Sequence, residues 1–275
     1  MSQPPEANQL TVYTQNMAVD NGPYRQRYES FGAEIRARQP DIVAAQEVSN
    51  YGHGYLNELT AGLGGTYQLL WAPIYPGQAE QGSVIITNRS VIRDEVVRAP
   101  SGENDVQLAV IAASGRNVAI GSTHNKMPPR YEALRQHKMR ELVGWLGHVA
   151  MQELPLAAHI IAGDFNAPPW PPFYRTAQLM EQTLGYLSAS KVFHGKEQPT
   201  FPALSFSELE AGHYLKPGEL KVFRVLSWLL SRYTLDYQFF KGAVRPVAAE
   251  VVMPNGHGPI SDHYGLSVTY EVAAA

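Results

Sequence analysis

The chain has 275 residues, 44% of them apolar and 17% charged, which is enough to bury a large core and excludes a wholly disordered chain. Lys and Arg total 22 against 25 Asp and Glu, a formal net charge of −3, so a body that coats nucleic acid by charge alone is excluded and a local basic groove is not. Cysteine is absent, which removes disulfides, thiolate metal sites and a cysteine nucleophile. Any metal must then be held by carboxylate, amide, imidazole or water.

The first eight residues carry no basic patch and no apolar run, so no signal peptide is expected. A cytoplasmic location follows if this is the full chain, and a secreted one if a leader was removed. No apolar stretch is long enough to span a bilayer. Residues 1–9 read as a flexible segment and 10–275 as one domain. Residues 10–15 alternate apolar and polar and end at Asn16, as a strand does. Tyr24, Tyr28, Phe31 and Ile35 fall at helical spacing, with Pro40 just beyond. Residues 42–45 form a short buried strand that runs into Gln46 and Glu47. Strands are predicted over 67–71, 83–87 and 106–112. A turn at 114–117 leads into a returning strand over 118–123. Tyr131, Leu134, Leu142, Leu146 and Val149 mark a long amphipathic helix. Residues 159–162 are another buried strand, followed by Gly163-Asp164-Phe165-Asn166. Late strands are predicted over 235–240 and 266–272. Many strands with a few helices between them suggest sheets packed together and flanked by helices.

Polar residues collect at the strand ends: Asn16, Glu47, His124, Asp164 with Asn166, and Asp262 with His263. Loops at strand ends are where a rigid scaffold presents reactive groups. Acidic, amide and imidazole groups without cysteine suit a hard divalent cation such as Mg²⁺. Taken singly, each has an ordinary reading: Glu47 as a solvated strand end, His124 as a structural histidine, Gly163–Asn166 as a turn. Asp236, inside an apolar strand, is different, because a buried carboxylate is costly without a partner, and a histidine is a natural one. No Gly-x-Ser-x-Gly elbow and no P-loop are present.

The order Asn16, Gln46-Glu47, Thr123-His124, Gly163-Asp164-Phe165-Asn166, Leu235-Asp236-Tyr237, Ser261-Asp262-His263 resembles the endonuclease/exonuclease/phosphatase superfamily over nearly the whole chain. That superfamily includes deoxyribonuclease-like and neutral sphingomyelinase-like metal-dependent phosphodiesterases. The resemblance implies an α/β fold: a four-layer sandwich of two packed, mainly antiparallel β-sheets flanked by helices, with 10–275 as the catalytic domain. It implies Mg²⁺ as cofactor, with Mn²⁺ as a substitute, held by Asn16, Glu47 and Asp262. His263 resembles the histidine that takes a proton from the attacking water or polarises it, and Asp236 the carboxylate that orients it. Asp164 and Asn166 resemble the pair that positions the nucleophile and stabilises the phosphate. His124 resembles the second histidine, which binds the phosphate or protonates the leaving oxygen. Glu80 matches an acidic residue that pairs with the mid-chain histidine in some members, and a solvated loop glutamate fits equally well.

The resemblance leaves the phosphodiester substrate open between nucleic acid and a phospholipid headgroup. Lys126 and Arg130 beside His124, and Arg25 and Arg27 after Asn16, could hold phosphates or be ordinary surface charge. The apolar face from Leu220 to Leu230, interleaved with Lys221 and Arg224, could rest on a membrane interface or be core. A catalytically inactive binding domain is the least favoured reading, since every expected site residue is present.

Overall fold

The computed structural model describes residues 8–18, 24–63, 67–75, 78–98, 106–126, 129–167, 175–202, 232–253 and 261–275. Fourteen strands and five helices follow one another among them. The first half contains β1 (Gln9–Asn16), α1 (Tyr24–Arg38), β2 (Ile42–Ser49), α2 (Asn50–Gly62), β3 (Gln68–Tyr75), β4 (Gln78–Thr87), β5 (Val91–Val97), β6 (Val106–Ala113) and β7 (Arg116–His124). The second half contains α3 (Glu132–Gln152), β8 (Leu156–Asp164), α4 (Thr176–Gln178), β9 (Leu187–Ser188), α5 (Ala189–His194), β10 (Phe201–Pro202), β11 (Arg232–Tyr233), β12 (Asp236–Gly242), β13 (Val244–Val252) and β14 (Gly265–Val272).

Twelve of the strands make two six-stranded sheets, in the orders β13-β14-β1-β2-β4-β3 and β5-β6-β7-β8-β12-β9. Each sheet is antiparallel except for one central parallel pair, β1 with β2 and β7 with β8. Parallel neighbours need a crossover, and helices α1 and α3 supply the two crossovers. The carboxyl ends of each parallel pair therefore leave the sheet side by side. Asn16 lies opposite Gln46, and His124 opposite Asp164. Strand β12 runs antiparallel to β8 and begins where β8 ends, with Asp236 opposite Asp164.

Alternation explains the layers. On β1, Leu10 and Val12 join Ile42, Ala44, Ile120, Ile160 and Leu266 in the apolar layer between the sheets. Tyr13 points the other way and packs with Val43, Ala45, Phe31 and Ile35 beneath α1. Met139, Leu142 and Leu146 of α3 cover Val110, Ala119, Ile161 and Phe239 on the far face of the second sheet. The result is helix, sheet, sheet, helix, as the resemblance implies.

The inter-sheet layer also holds buried amides. Gln46 Nε2 donates to Ser122 Oγ at 3.0 Å, from β2 of one sheet to β7 of the other. Gln238 Nε2 donates to the carbonyls of Val12 at 3.0 Å and Leu266 at 2.9 Å, and its Oε1 accepts from Tyr270 Oη at 3.1 Å. Dispersion alone leaves two sheets free to slide, whereas these bonds are directional and fix one register. Leaving such a buried amide unpaired would cost about 1–3 kcal/mol.

Candidate active site

The site forms where five strands, β1, β2, β7, β8 and β12, meet the loop before β14. Asn16, the last residue of β1, is fully buried. Its Nδ2 donates to Glu47 Oε1 and to Asp164 Oδ2, both at 2.9 Å, while its Oδ1 accepts from the Ala18 N–H at 2.7 Å. Glu47 is reached by a local irregularity: the pairing of β2 with β4 slips between Ala45 and Val48, and Glu47 takes φ +52°. A left-handed glutamate is costly and bulges re-aim side chains, so this distortion turns the carboxylate toward the site.

Asp164 ends β8 and is almost fully buried. Its Oδ1 accepts from the Asn166 N–H at 2.7 Å, and its Oδ2 accepts from Asn166 Nδ2 at 2.9 Å. Asn166 sits at φ +46°, a conformation asparagine tolerates, and its Nδ2 also donates to the Asn125 carbonyl at 2.7 Å. His124 Nε2 lies 3.3 Å from Glu47 Oε1 and 3.8 Å from Asp164 Oδ2. His263 Nε2 lies 4.0 Å from the same Asp164 oxygen. Both imidazoles thus face one carboxylate oxygen.

Asp236 finds the partner its burial demands. Its Oδ2 is 2.9 Å from His263 Nδ1. Thr200 Oγ1 accepts the N–H of Leu235 at 3.1 Å and of Asp236 at 3.0 Å, which fixes the start of β12. The Phe201 ring packs edge-on against the His263 ring, centroids 4.8 Å apart.

These contacts separate the protonation of the two histidines. Burial pushes the His124 imidazole down, the Lys138 and His263 charges add to this, and Glu47 and Asp236 oppose it. The Glu47 carboxylate, 3.3 Å from His124 Nε2, offsets part of that downward push without reversing it. Burial acts the same way on His263, but the charge and hydrogen bond of Asp236 override it, helped by Asp164 and Asp262, and the net direction is upward. For Asp164, burial and the charges of Asp236 and Glu47 push the carboxyl up, against His263 and the Asn166 N–H.

Seven of the expected residues, Asn16, Glu47, His124, Asp164, Asn166, Asp236 and His263, meet in one place. Asp262 stands beside His263, half-buried, with its Oδ1 3.2 Å from Ser261 Oγ. Among the described residues, the groups of three or more metal-binding donors whose atoms lie within 4.8 Å of one another are Glu47, His124 and Asp164, and Asp164, Asp236 and His263; Glu47 is thus grouped with Asp164 rather than Asp262. Glu80 lies in β4, with its side chain outside the described residues, and the Leu220 to Leu230 segment is likewise outside them. Lys126 Nζ and the Arg130 guanidinium carbon lie 4.9 Å and 5.0 Å from the Tyr131 ring centroid, just past His124. Arg27 is buried and donates to the Ala18 carbonyl at 2.7 Å, so it shapes the loop after Asn16, while Arg25 pairs with Glu29 on the surface.

Sequence reasoning passed over the support beneath the site. Lys138, on α3, is buried and donates to the His124 carbonyl at 2.8 Å. Arg135 is fully buried and donates to the Lys126 carbonyl. Two buried cations on one helix, at positions 135 and 138, break its apolar stripe, and that break was the available signal. Asn125 is buried too, and neither polar atom of its amide has a hydrogen-bond partner.

A profile of the endonuclease/exonuclease/phosphatase family matches residues 13–263. The chain belongs to that family. It is a metal-dependent phosphoric-ester hydrolase, as the family's members are. No curated protein sequence matches it significantly. Among solved structures, the human Nocturnin catalytic domain with bound sulfate is similar at 21% identity, with a TM-score of 0.72 over 97% of this chain and 95% of that one. D. rerio TDP2 with a single-strand DNA product is similar at 16% identity, with a TM-score of 0.71 over 95% of this chain and 98% of that one. A family protein from Bacteroides vulgatus is similar at 16% identity and a TM-score of 0.71, covering 96% of this chain and 99% of that one. At these identities the likeness is one of fold.

The residues present fit a hard divalent cation. Carboxylate oxygens of Glu47 and Asp164 lie in one close group, and Asp236 Oδ1 and His124 Nδ1 are buried polar atoms without a hydrogen-bond partner. Concentrated negative charge with spare donor atoms is what such an ion satisfies.

Proposed function

We propose that this family member is a nuclease-like phosphodiesterase: a Mg²⁺-dependent enzyme that hydrolyses the phosphodiester backbone of nucleic acid, with residues 10–275 as one catalytic domain. The observation that carries the reading is the pair of imidazoles on one carboxylate oxygen, His124 Nε2 at 3.8 Å and His263 Nε2 at 4.0 Å from Asp164 Oδ2. Breaking a phosphodiester needs an aligned water, a proton acceptor for it, and donors around the phosphate. Those three roles distribute over these residues.

Glu47 would hold the cation, with Asn16 beside it and Asp262 as a further carboxylate at the His263 loop. When bound, the ion neutralises charge on the phosphorane-like transition state and stabilises the leaving oxygen. Asp164 Oδ2 orients the attacking water within reach of His263 Nε2. His263 Nε2 would accept the water's proton, and Asp236 keeps Nδ1–H and the ring in place. His124 binds a phosphate oxygen, and Asn166, whose Nδ2 donates to Asp164 Oδ2 and the Asn125 carbonyl, holds Asp164 in position. Lys126 and Arg130, gathered around Tyr131, suit neighbouring backbone phosphates. The D. rerio relative carrying a DNA product supports the same substrate class.

The test is nicking of supercoiled plasmid with Mg²⁺, beside EDTA and His263→Ala controls. Chelator-sensitive nicking that vanishes in the variant is expected. Folded, Mg²⁺-binding protein that leaves plasmid intact yet hydrolyses sphingomyelin vesicles would overturn the nucleic-acid reading.

A further inference from the structure

One buried side chain connects the two halves of the site without touching the reacting groups. Gln15 precedes Asn16 on β1 and is 1% exposed. Its Nε2 donates to the carbonyl of Asn16 at 2.8 Å and to the carbonyl of His263 at 3.1 Å. Its Oε1 accepts from Tyr13 Oη at 3.0 Å, so donors and acceptor are all engaged. Tyr13 is itself fully buried beneath α1, which anchors the chain of bonds in the core.

A second observation shows that space is kept for this arrangement. Gly265 opens β14 just after the His263 loop, and a Cβ there would lie 2.4 Å from the Tyr13 ring and 2.8 Å from Gln15 Oε1. Glycine is therefore needed for the Tyr13–Gln15 pair to pass. Among the described residues, two other main-chain N–H bonds tie down the loop it follows, residues 261–264. The His263 N–H bonds Ser261 Oγ at 3.1 Å within the loop, and the Tyr264 N–H bonds the Thr200 carbonyl at 2.6 Å. The Gln15 amide is what joins this loop to β1.

We propose that Gln15 is a positioning residue: it clamps the His263 main chain to the strand that carries Asn16, so that the histidine and the metal-side amide hold one fixed separation. The reasoning rests on the reading of His263 as the group that handles the water's proton. Tyr13 acts behind Gln15, orienting its amide so that nitrogen rather than oxygen faces the two carbonyls. Removing the clamp leaves the His263–Asp236 pair intact in chemistry but loose in place, and loss of such support costs about 10–100-fold in metal sites and catalysis.

Two variants test this, Gln15→Met, which keeps length without the amide, and Tyr13→Phe, which removes one hydroxyl. Both are measured beside wild type and His263→Ala on bis(p-nitrophenyl) phosphate with Mg²⁺. For Gln15→Met, kcat is expected to fall about 10–100-fold with KM little changed. The far-downfield proton NMR signal of the carboxylate-bound His263 Nδ1–H should broaden or shift. Tyr13→Phe should lose several-fold in kcat and move the same signal. Variants that melt earlier but, when folded, keep wild-type kcat and an unmoved signal would overturn the assignment. If Gln15→Met does not fold, Tyr13→Phe decides by the same two readouts. A fully active His263→Ala would instead refute the reading of His263 itself, so the two failures are distinguishable.

Discussion

Gly163 sits where β8 delivers Asp164, and its replacement by alanine tests the local construction of the site. The residue has φ +141° and lies opposite Thr123 on β7. A Cβ added there would be 2.0 Å from the Thr123 carbonyl oxygen, a main-chain atom that cannot swing aside. Overpacking of this kind costs about 1–3 kcal/mol, and a side chain held in that backbone region costs about 1–3 kcal/mol more. Relief requires β7 and β8 to separate, and those strands end at His124 and Asp164. Gly163→Ala is therefore expected to lose about 2–6 kcal/mol, a large part of the roughly 5–15 kcal/mol that holds a domain together. The loss is read as the shift in urea midpoint at constant slope. In the fraction that stays folded, kcat should fall as well, because both the histidine and the carboxylate move. A variant with a midpoint shift worth under about 1 kcal/mol and unchanged turnover would refute the reasoning.

Other expectations follow from single contacts. Asp236→Asn removes the charge that orients the His263 ring, so kcat should drop about 10–100-fold with folding retained; equal turnover would show that the 2.9 Å pair is structural. Lys126→Ala and Arg130→Ala should each raise KM for oligonucleotides and lower the salt dependence by about one phosphate contact, while bis(p-nitrophenyl) phosphate turns over normally; a uniform effect on both substrates contradicts this. His159 is held down to about 4 by burial and Lys241, and its Nδ1 lies 3.0 Å from Tyr186 Oη. Its folded value is below its ordinary one, so the unfolded chain takes up more protons between pH 6.5 and 4, and stability falls as pH drops through that window. The loss is at most about 3 kcal/mol, less whatever solvent screens at the half-buried ring. His159→Gln should flatten that part of the stability profile, and identical profiles would refute it.

Much of the fold was legible because β2, β7 and β8 are short apolar runs buried nearly throughout, and β1 begins with the apolar–polar alternation of a strand. Three of the longer elements were not, nor were the short α4, α5, β9, β10 and β11. Helix α2 has the sequence NYGHGYLNELTAG, whose glycines weaken helix propensity, and it forms because Leu56 and Leu59 pack under the first sheet. Strand β13 contains Pro246 and a slip in pairing beside it, which masks the alternation. Strand β5, VIRDEVV, is an edge strand with charges in its centre. In the site, Asp236 was readable as a buried carboxylate in need of a histidine, and His263 is that histidine. The aim of Glu47 was not readable, since it depends on a bulge and a positive φ that no local residue type announces. Nor was the grouping of Glu47 with Asp164 and His124, because it depends on how two sheets stack.

The most direct test of the whole account is hydrolysis of bis(p-nitrophenyl) phosphate by purified wild type, Glu47→Ala and His263→Ala across a Mg²⁺ titration, with folding checked by melting. The account predicts metal-dependent turnover in the wild type that EDTA abolishes and that both variants lose almost completely while remaining folded. Turnover that survives EDTA, or normal activity in either folded variant, would contradict it.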